Sequence, residues 1–122
     1  MATDTILCVD DEEIPRTLRA LVLRKQGYQV LTAASGPEAL KLLDDTDISL
    51  VLTDQMMPLM SGTELAKRVK AIRPGLPVIL ISGMNEIPAD ANCADRFISK
   101  VDGPELLFRT ILEVLEGSRQ AN

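Results

Sequence analysis

Five short apolar runs, each separated from the next by a longer segment, constrain the fold of this chain more than any other feature. The runs are 5-TILCV-9, 28-YQVLT-32, 48-ISLVLT-53, 76-LPVILIS-82 and 96-RFIS-99. The first, third and fourth are almost continuously apolar, as strands covered on both faces of a parallel sheet are. Between them the period changes to that of a helix. Ile14, Leu18, Leu21 and Val22 share one helical face, as do Leu65, Val69 and Ile72, and Leu107, Ile111, Val114 and Leu115. Each of these faces is expected to pack on the sheet.

Capping chemistry marks the helix starts. Ser35, Ser61 and Asp102 each stand three residues before a glutamate (Glu38, Glu64, Glu105), the spacing of a capping box. Pro15, Pro37 and Pro104 fall in first turns, where a missing N–H costs little, and Gly27 closes the first helix. A strand–helix unit repeated five times gives one parallel sheet with helices on both faces. The expected fold is therefore α/β, a flavodoxin-like (βα)5 doubly wound parallel sheet with strand order 2-1-3-4-5. Such sheets bind ligands beyond the carboxyl ends of their strands, where the order reverses between strands 1 and 3.

With 122 residues the chain is expected to form a single domain over 1–122, with a core of about 5–116 and a frayed tail at 117–122. No apolar run approaches the ~20 residues of a membrane span, and the N-terminus lacks a signal-peptide pattern. The expected location is cytoplasmic, with Cys8 and Cys93 as reduced thiols and Cys8 in the core. A net charge of -5 argues against direct nucleic-acid binding. Histidine is absent, which excludes Ser-His-Asp catalysis, histidine metal ligands and a phosphohistidine of the chain's own.

The strand ends carry the chemistry. The first strand finishes in Asp10-Asp11, the third in Asp54, the fourth in Ser82 and the fifth in Lys100. Any one of these alone reads as the start of a solvated loop; four on one rim do not. Asp10, Asp11 and Asp54 would repel one another unless a cation intervened. Oxygen-only ligands without histidine favour a hard ion, Mg2+, which keeps waters and accepts phosphate. Lys100 and Ser82 then offer a positive charge and a hydroxyl donor to a phosphoryl group, and Asp54 is left as the nucleophile.

The set VDDE, LTDxMMPxMSG, ISG and FISK resembles the receiver domain of two-component response regulators, over about Thr5 to Glu116. The resemblance implies that Asp54 accepts phosphate from a phosphohistidine on a sensor histidine kinase or phosphotransfer protein. It implies that Asp11 and Asp54 bind Mg2+ directly with the backbone carbonyl of Met56, and that Asp10 acts through water. Lys100 would pair with carboxylate and phosphoryl oxygens, while Ser82 and Phe97 take the places of the switch hydroxyl and the switch aromatic. Phe97 reads equally well as a core strand residue. The output protein is unspecified, and a homodimer through the fourth helix, fifth strand and last helix is a further implication. On this reading the chain is a signalling domain with only intrinsic autophosphorylation and slow autodephosphorylation.

The chain departs from that pattern in three places. Ser82 and Lys100 lie eighteen positions apart, about one helical turn short of the family's habit, and Gly83, Asn85, Pro88 and Asn92 disfavour a long helix between them. The fourth helix is expected to be short, irregular or missing. Val101 stands where the family commonly has a cis proline, so a trans bond is expected. Met56 and Met84 flank the site with thioethers that cannot orient water, which predicts slow dephosphorylation. Two other readings compete: an unphosphorylated receiver-like interaction module, and a small Mg2+-dependent phosphatase. A flavodoxin-like cofactor carrier is disfavoured, because Asp10-Asp11-Glu12 would repel a flavin phosphate.

Overall fold

The computed structural model describes residues 3–83 and 93–120. Five parallel strands form one sheet in the order β2-β1-β3-β4-β5. They are β1 (Thr5–Val9), β2 (Gln29–Ala33), β3 (Leu50–Asp54), β4 (Val78–Ser82) and β5 (Arg96–Ser99). Four helices accompany them: α1 (Glu13–Lys25), α2 (Gly36–Asp45), α3 (Gly62–Ile72) and α4 (Pro104–Gln120). This is the expected doubly wound sheet, with strand starts within two residues of the apolar runs. The fourth of the five expected helices falls on residues 84–92, outside the described residues, as does Met84.

Two cores flank the sheet, because successive side chains of a strand point to opposite faces. One packs Ile6, Cys8, Leu52, Ile79 and Ile98 against Ala20 and Leu23 of α1 and Leu107, Ile111 and Leu115 of α4. The other packs Leu7, Val9, Val51 and Val78 against Ala39 and Leu43 of α2 and Leu65, Ala66 and Val69 of α3. Cys8 is fully buried, as expected. No helix among the described residues is long and apolar enough to cross a membrane.

Local chemistry explains the element ends. Ser35 and Ser61 accept the amides of Glu38 and Glu64, each at 3.2 Å, the caps read from the sequence. Asp102 turns one carboxylate oxygen back to the Ser99 amide at 3.0 Å. Gly27 has φ +98°, the left-handed conformation that ends α1. Every peptide bond described is trans, including that before Val101. α4 runs on to Gln120, beyond the point at which the sequence suggested a frayed tail.

α1 is rotated relative to expectation. Ile14, Leu18 and Leu21 are exposed, Ile14 at 73%, and Val22 is only partly buried. The buried residues are Ala20 and Leu23, with Arg16 and Arg19 beside them on nearly the opposite side. The reason lies at the end of β1. Asp10 is 2% exposed, and a buried carboxylate left without donors costs several kcal/mol. α1 supplies those donors, and its aliphatic stripe turns outward as a result. Ile72, at the end of α3, is also exposed, whereas Leu65 and Val69 are buried as expected.

Candidate functional site

The polar residues at the strand ends converge on one rim. Asp10, which immediately follows β1, is fixed from several sides. Its amide donates to the Ala33 carbonyl at 3.1 Å, its Oδ1 accepts the Glu12 amide at 3.0 Å, and its Oδ2 meets Arg19 Nη1 at 3.2 Å. Arg16 Nη1 donates to its carbonyl oxygen at 2.9 Å. Asp54 closes β3, which lies between β1 and β4, and is likewise 2% exposed. One oxygen from each of Asp10, Asp11 and Asp54 lies within 4.8 Å of the other two.

Lys100 enters from the end of β5. Its amide donates to the Ser82 carbonyl at 2.8 Å, which ties the ends of β5 and β4 together. Its Nζ lies 3.0 Å from Asp54 Oδ1. That ion pair is the main relief for an otherwise unfavourable position: Asp54 Oδ1 is buried and accepts no hydrogen bond of good geometry. Burial pushes the Asp54 carboxyl above its ordinary range; Lys100 opposes the shift and Asp10 adds to it. Burial alone would lower Lys100, and the Asp54 carboxylate outweighs it, so the ammonium is held above its usual value.

Three carboxylate oxygens within 4.8 Å of one another fit a hard divalent cation, which takes oxygen ligands. Among the described residues, Asp10, Asp11 and Asp54 could hold such an ion. Ser82 is buried at the tip of β4, and Phe97 is partly buried in β5. The register pairs Leu80 with Phe97 and Ser82 with Ser99, which puts Ser82 and Phe97 on the same face of adjacent strands. Met56 is exposed beside the acids.

The loop between β3 and α3 is held from below. Gly62 sits so close to β3 that a Cβ there would meet the Asp54 carbonyl oxygen and, at 2.6 Å, Leu80 Cδ2. Gln55, buried, accepts both the amide (2.8 Å) and the hydroxyl (2.7 Å) of Thr63 through its Oε1. Leu59, at the loop's tip, is 93% exposed with φ +71°, a conformation that costs a leucine roughly 1–2 kcal/mol.

Two residues of this rim escape the sequence patterns. Gln55 gives no signal beyond its position after Asp54. Arg19 could be found only by phasing α1 on Ala20 and Leu23 rather than on its more hydrophobic stripe. A cleft of about 240 Å³ beside Arg19 is lined also by Asp10, Ile98, Lys100, Asp102 and Leu107. A larger hollow of about 440 Å³ includes Ser49, Gly75 and Ser118 in its lining. Its two arginines are engaged, Arg73 with the Leu43 and Thr46 carbonyls and Arg119 with Asp4.

Comparison with known proteins agrees with this geometry. The family model for the response regulator receiver domain matches residues 6–111. The transcriptional regulatory protein GlrR of Escherichia coli is 35% identical over 95% of this chain, which spans 27% of that protein. The two-component response regulator ORR3 of rice is 38% identical over 90% of this chain and 89% of its own length. A CheY-like receiver domain from Methanospirillum hungatei superposes with a TM-score of 0.91 at 29% identity, covering 99% of this chain and all of that one. The Thermotoga maritima regulator TrrA, solved in complex with Mg(2+)-BeF, gives 0.87 at 30% identity over 92% and 99% of the two chains. The strand order, the acidic rim and these matches together place the chain in the receiver-domain family of two-component response regulators.

Proposed function

We propose that Asp54 is the phosphoacceptor of this receiver domain, taking a phosphoryl group from the phosphohistidine of a sensor kinase or phosphotransfer protein. An Asp54 carboxylate oxygen forms the new bond to phosphorus as the phosphorus–nitrogen bond breaks, and the imidazole leaves with its electron pair and takes up a proton. The observation that carries this reading is the state of Asp54: a buried carboxylate at the end of an interior strand, with the Lys100 ammonium 3.0 Å from its Oδ1. Burial excludes bulk water, and Lys100 offers charge where phosphoryl oxygens would gather.

We assign Mg2+ to the acidic rim, with Asp11, Asp54 and the Met56 carbonyl as direct ligands and Asp10 acting through water. Bound there, the ion neutralises charge that develops on the phosphoryl oxygens. The Mg(2+)-BeF complex of the related TrrA supports the assignment. The chain's own residues do the rest. Asp10 is held in place by Arg19 and the Glu12 amide, Gln55 fixes the start of α3, and Ser82 stands ready to donate its hydroxyl to the added group. Movement of Ser82 would free space for Phe97 to rotate, biasing the side that carries β5 and α4, where we place the output surface.

The phosphodonor protein needs a landing surface near Asp54. α1 begins three residues after Asp10 and turns Ile14, Leu18 and Leu21 outward, and we assign the donor to that apolar stripe. The deciding experiment is intact mass after treatment with acetyl phosphate and Mg2+. The wild type should gain one phosphate, and Asp54→Asn none. A phosphate on Asp54→Asn, or none on either protein, would overturn the assignment.

A further inference from the structure

Arg19 is a largely buried cation of the rim, and the phosphotransfer scheme above gives it no role beyond holding Asp10. Its side chain is 15% exposed, against 43% for Lys100. Nη1 reaches Asp10 Oδ2 at 3.2 Å, while Oδ1 of the same carboxylate accepts the Glu12 amide. Both oxygens of Asp10 are thus held by the protein, whereas Asp54 Oδ1 meets the Lys100 ammonium at 3.0 Å without a hydrogen bond of good geometry.

We infer that Arg19 is a positioning residue that serves as a resident counter-cation of the acidic site, holding Asp10 in place and weakening the site's grip on the divalent ion. The inference rests on the reading of Asp10, Asp11 and Asp54 as that ion's site. Lys100 and Arg19 are ion-paired with two of the three carboxylates, and Arg16 donates to the Asp10 carbonyl oxygen. Removing the Arg19 charge makes the site one unit more negative toward an incoming ion. The geometry also divides the acids by task. Asp10, already bound at both oxygens, is suited to meet the ion through water, whereas Asp54 Oδ1 is engaged through its ion pair with Lys100. A site of low net charge releases its ion readily, which suits a domain that must be reset.

The test is Mg2+ titration followed by calorimetry and by amide NMR, at low ionic strength, on wild type, Arg19→Gln and Arg19→Lys. Glutamine keeps a donor near Asp10 and removes the charge, so Arg19→Gln should bind Mg2+ about tenfold tighter or more, the least that one unit charge several ångströms from a divalent ion contributes. Arg19→Lys keeps the charge and should stay within about twofold of wild type. Asp11→Asn serves as the control that the response reports this site. In the wild type itself, the Arg19 guanidinium resonances should shift as Mg2+ saturates, a readout that does not depend on any variant folding. A folded Arg19→Gln with unchanged or weaker affinity, or Arg19 resonances indifferent to Mg2+, would overturn the inference and leave the metal assignment standing. Absence of any Mg2+ response in all the proteins would overturn both.

Discussion

Replacing Asp54 with asparagine should make the metal-free protein more stable, although it removes the reacting group. The carboxylate is 2% exposed, and its oxygens share a 4.8 Å neighbourhood with those of Asp10 and Asp11. Burial is the largest cost to the ionised acid and Asp10 adds to it, while Lys100, 3.0 Å away but half exposed, and Arg19 return part of it. The carboxyl is raised overall, so the costs outweigh the returns, by about 2 kcal/mol on the scale of a buried and incompletely paired charge. Asparagine removes that cost at nearly the same volume. In urea at pH 7 with EDTA, a slope of about 2 kcal/mol per molar converts it to a midpoint about 1 M higher for Asp54→Asn. The sign with pH follows from the raised carboxyl. The folded state holds the proton more tightly than the unfolded chain, so stability relative to the neutral side chain falls as pH climbs through and above the ordinary 3.8. The advantage of Asp54→Asn should accordingly be small at pH 4 and full at pH 7. An equal midpoint at pH 7, or an advantage of the same size at both pH values, would refute the electrostatic argument.

Four further outcomes are expected. Gly62→Ala should lose about 2–4 kcal/mol by thermal or urea denaturation, because its Cβ would press on the β3 backbone and Leu80. Leu59→Gly should gain up to about 1 kcal/mol, since φ +71° is free for glycine and almost no apolar surface is lost from the core. Met56→Asn should speed loss of the phosphoryl group several-fold, measured as decay of the phosphorylated mass, because an amide can orient the attacking water where an exposed thioether cannot. Leu18→Asp should slow phosphorylation by a partner kinase about tenfold or more while leaving labelling by acetyl phosphate within twofold, as expected for loss of a docking contact outside the chemistry.

The sequence and the structure agree most closely where physical demands act locally. The runs around Leu7, Leu52 and Leu80 must be strands because nothing else buries so many consecutive apolar groups, and the Ser35 and Ser61 caps follow from spacing alone. Asp10, Asp11, Asp54 and Lys100 were legible because each stands at or just past a strand end, and strand order then brings them together. The phase of α1 was not legible in this way. Hydrophobic periodicity selects Ile14, Leu18 and Leu21, yet the helix obeys a long-range requirement, the need of buried Asp10 for donors. Arg19 and Gln55 were missed for the same reason: each satisfies a partner that only the folded chain brings near.

The position of β3 between β1 and β4 has a consequence for how a signal could leave the site. Neighbours on both sides fix the backbone of the strand carrying Asp54, with Thr53 opposite Val9 and Leu80, and Asp54 opposite Ile81. Its amides should be among the slowest in the molecule to exchange with deuterium, since opening them disrupts both cores at once. The proposed acceptor carboxyl is thus mounted on an interior strand, flanked on both sides. News of its modification must be carried outward by whatever reaches in to touch it, toward the margin where β5 has a strand on one side only.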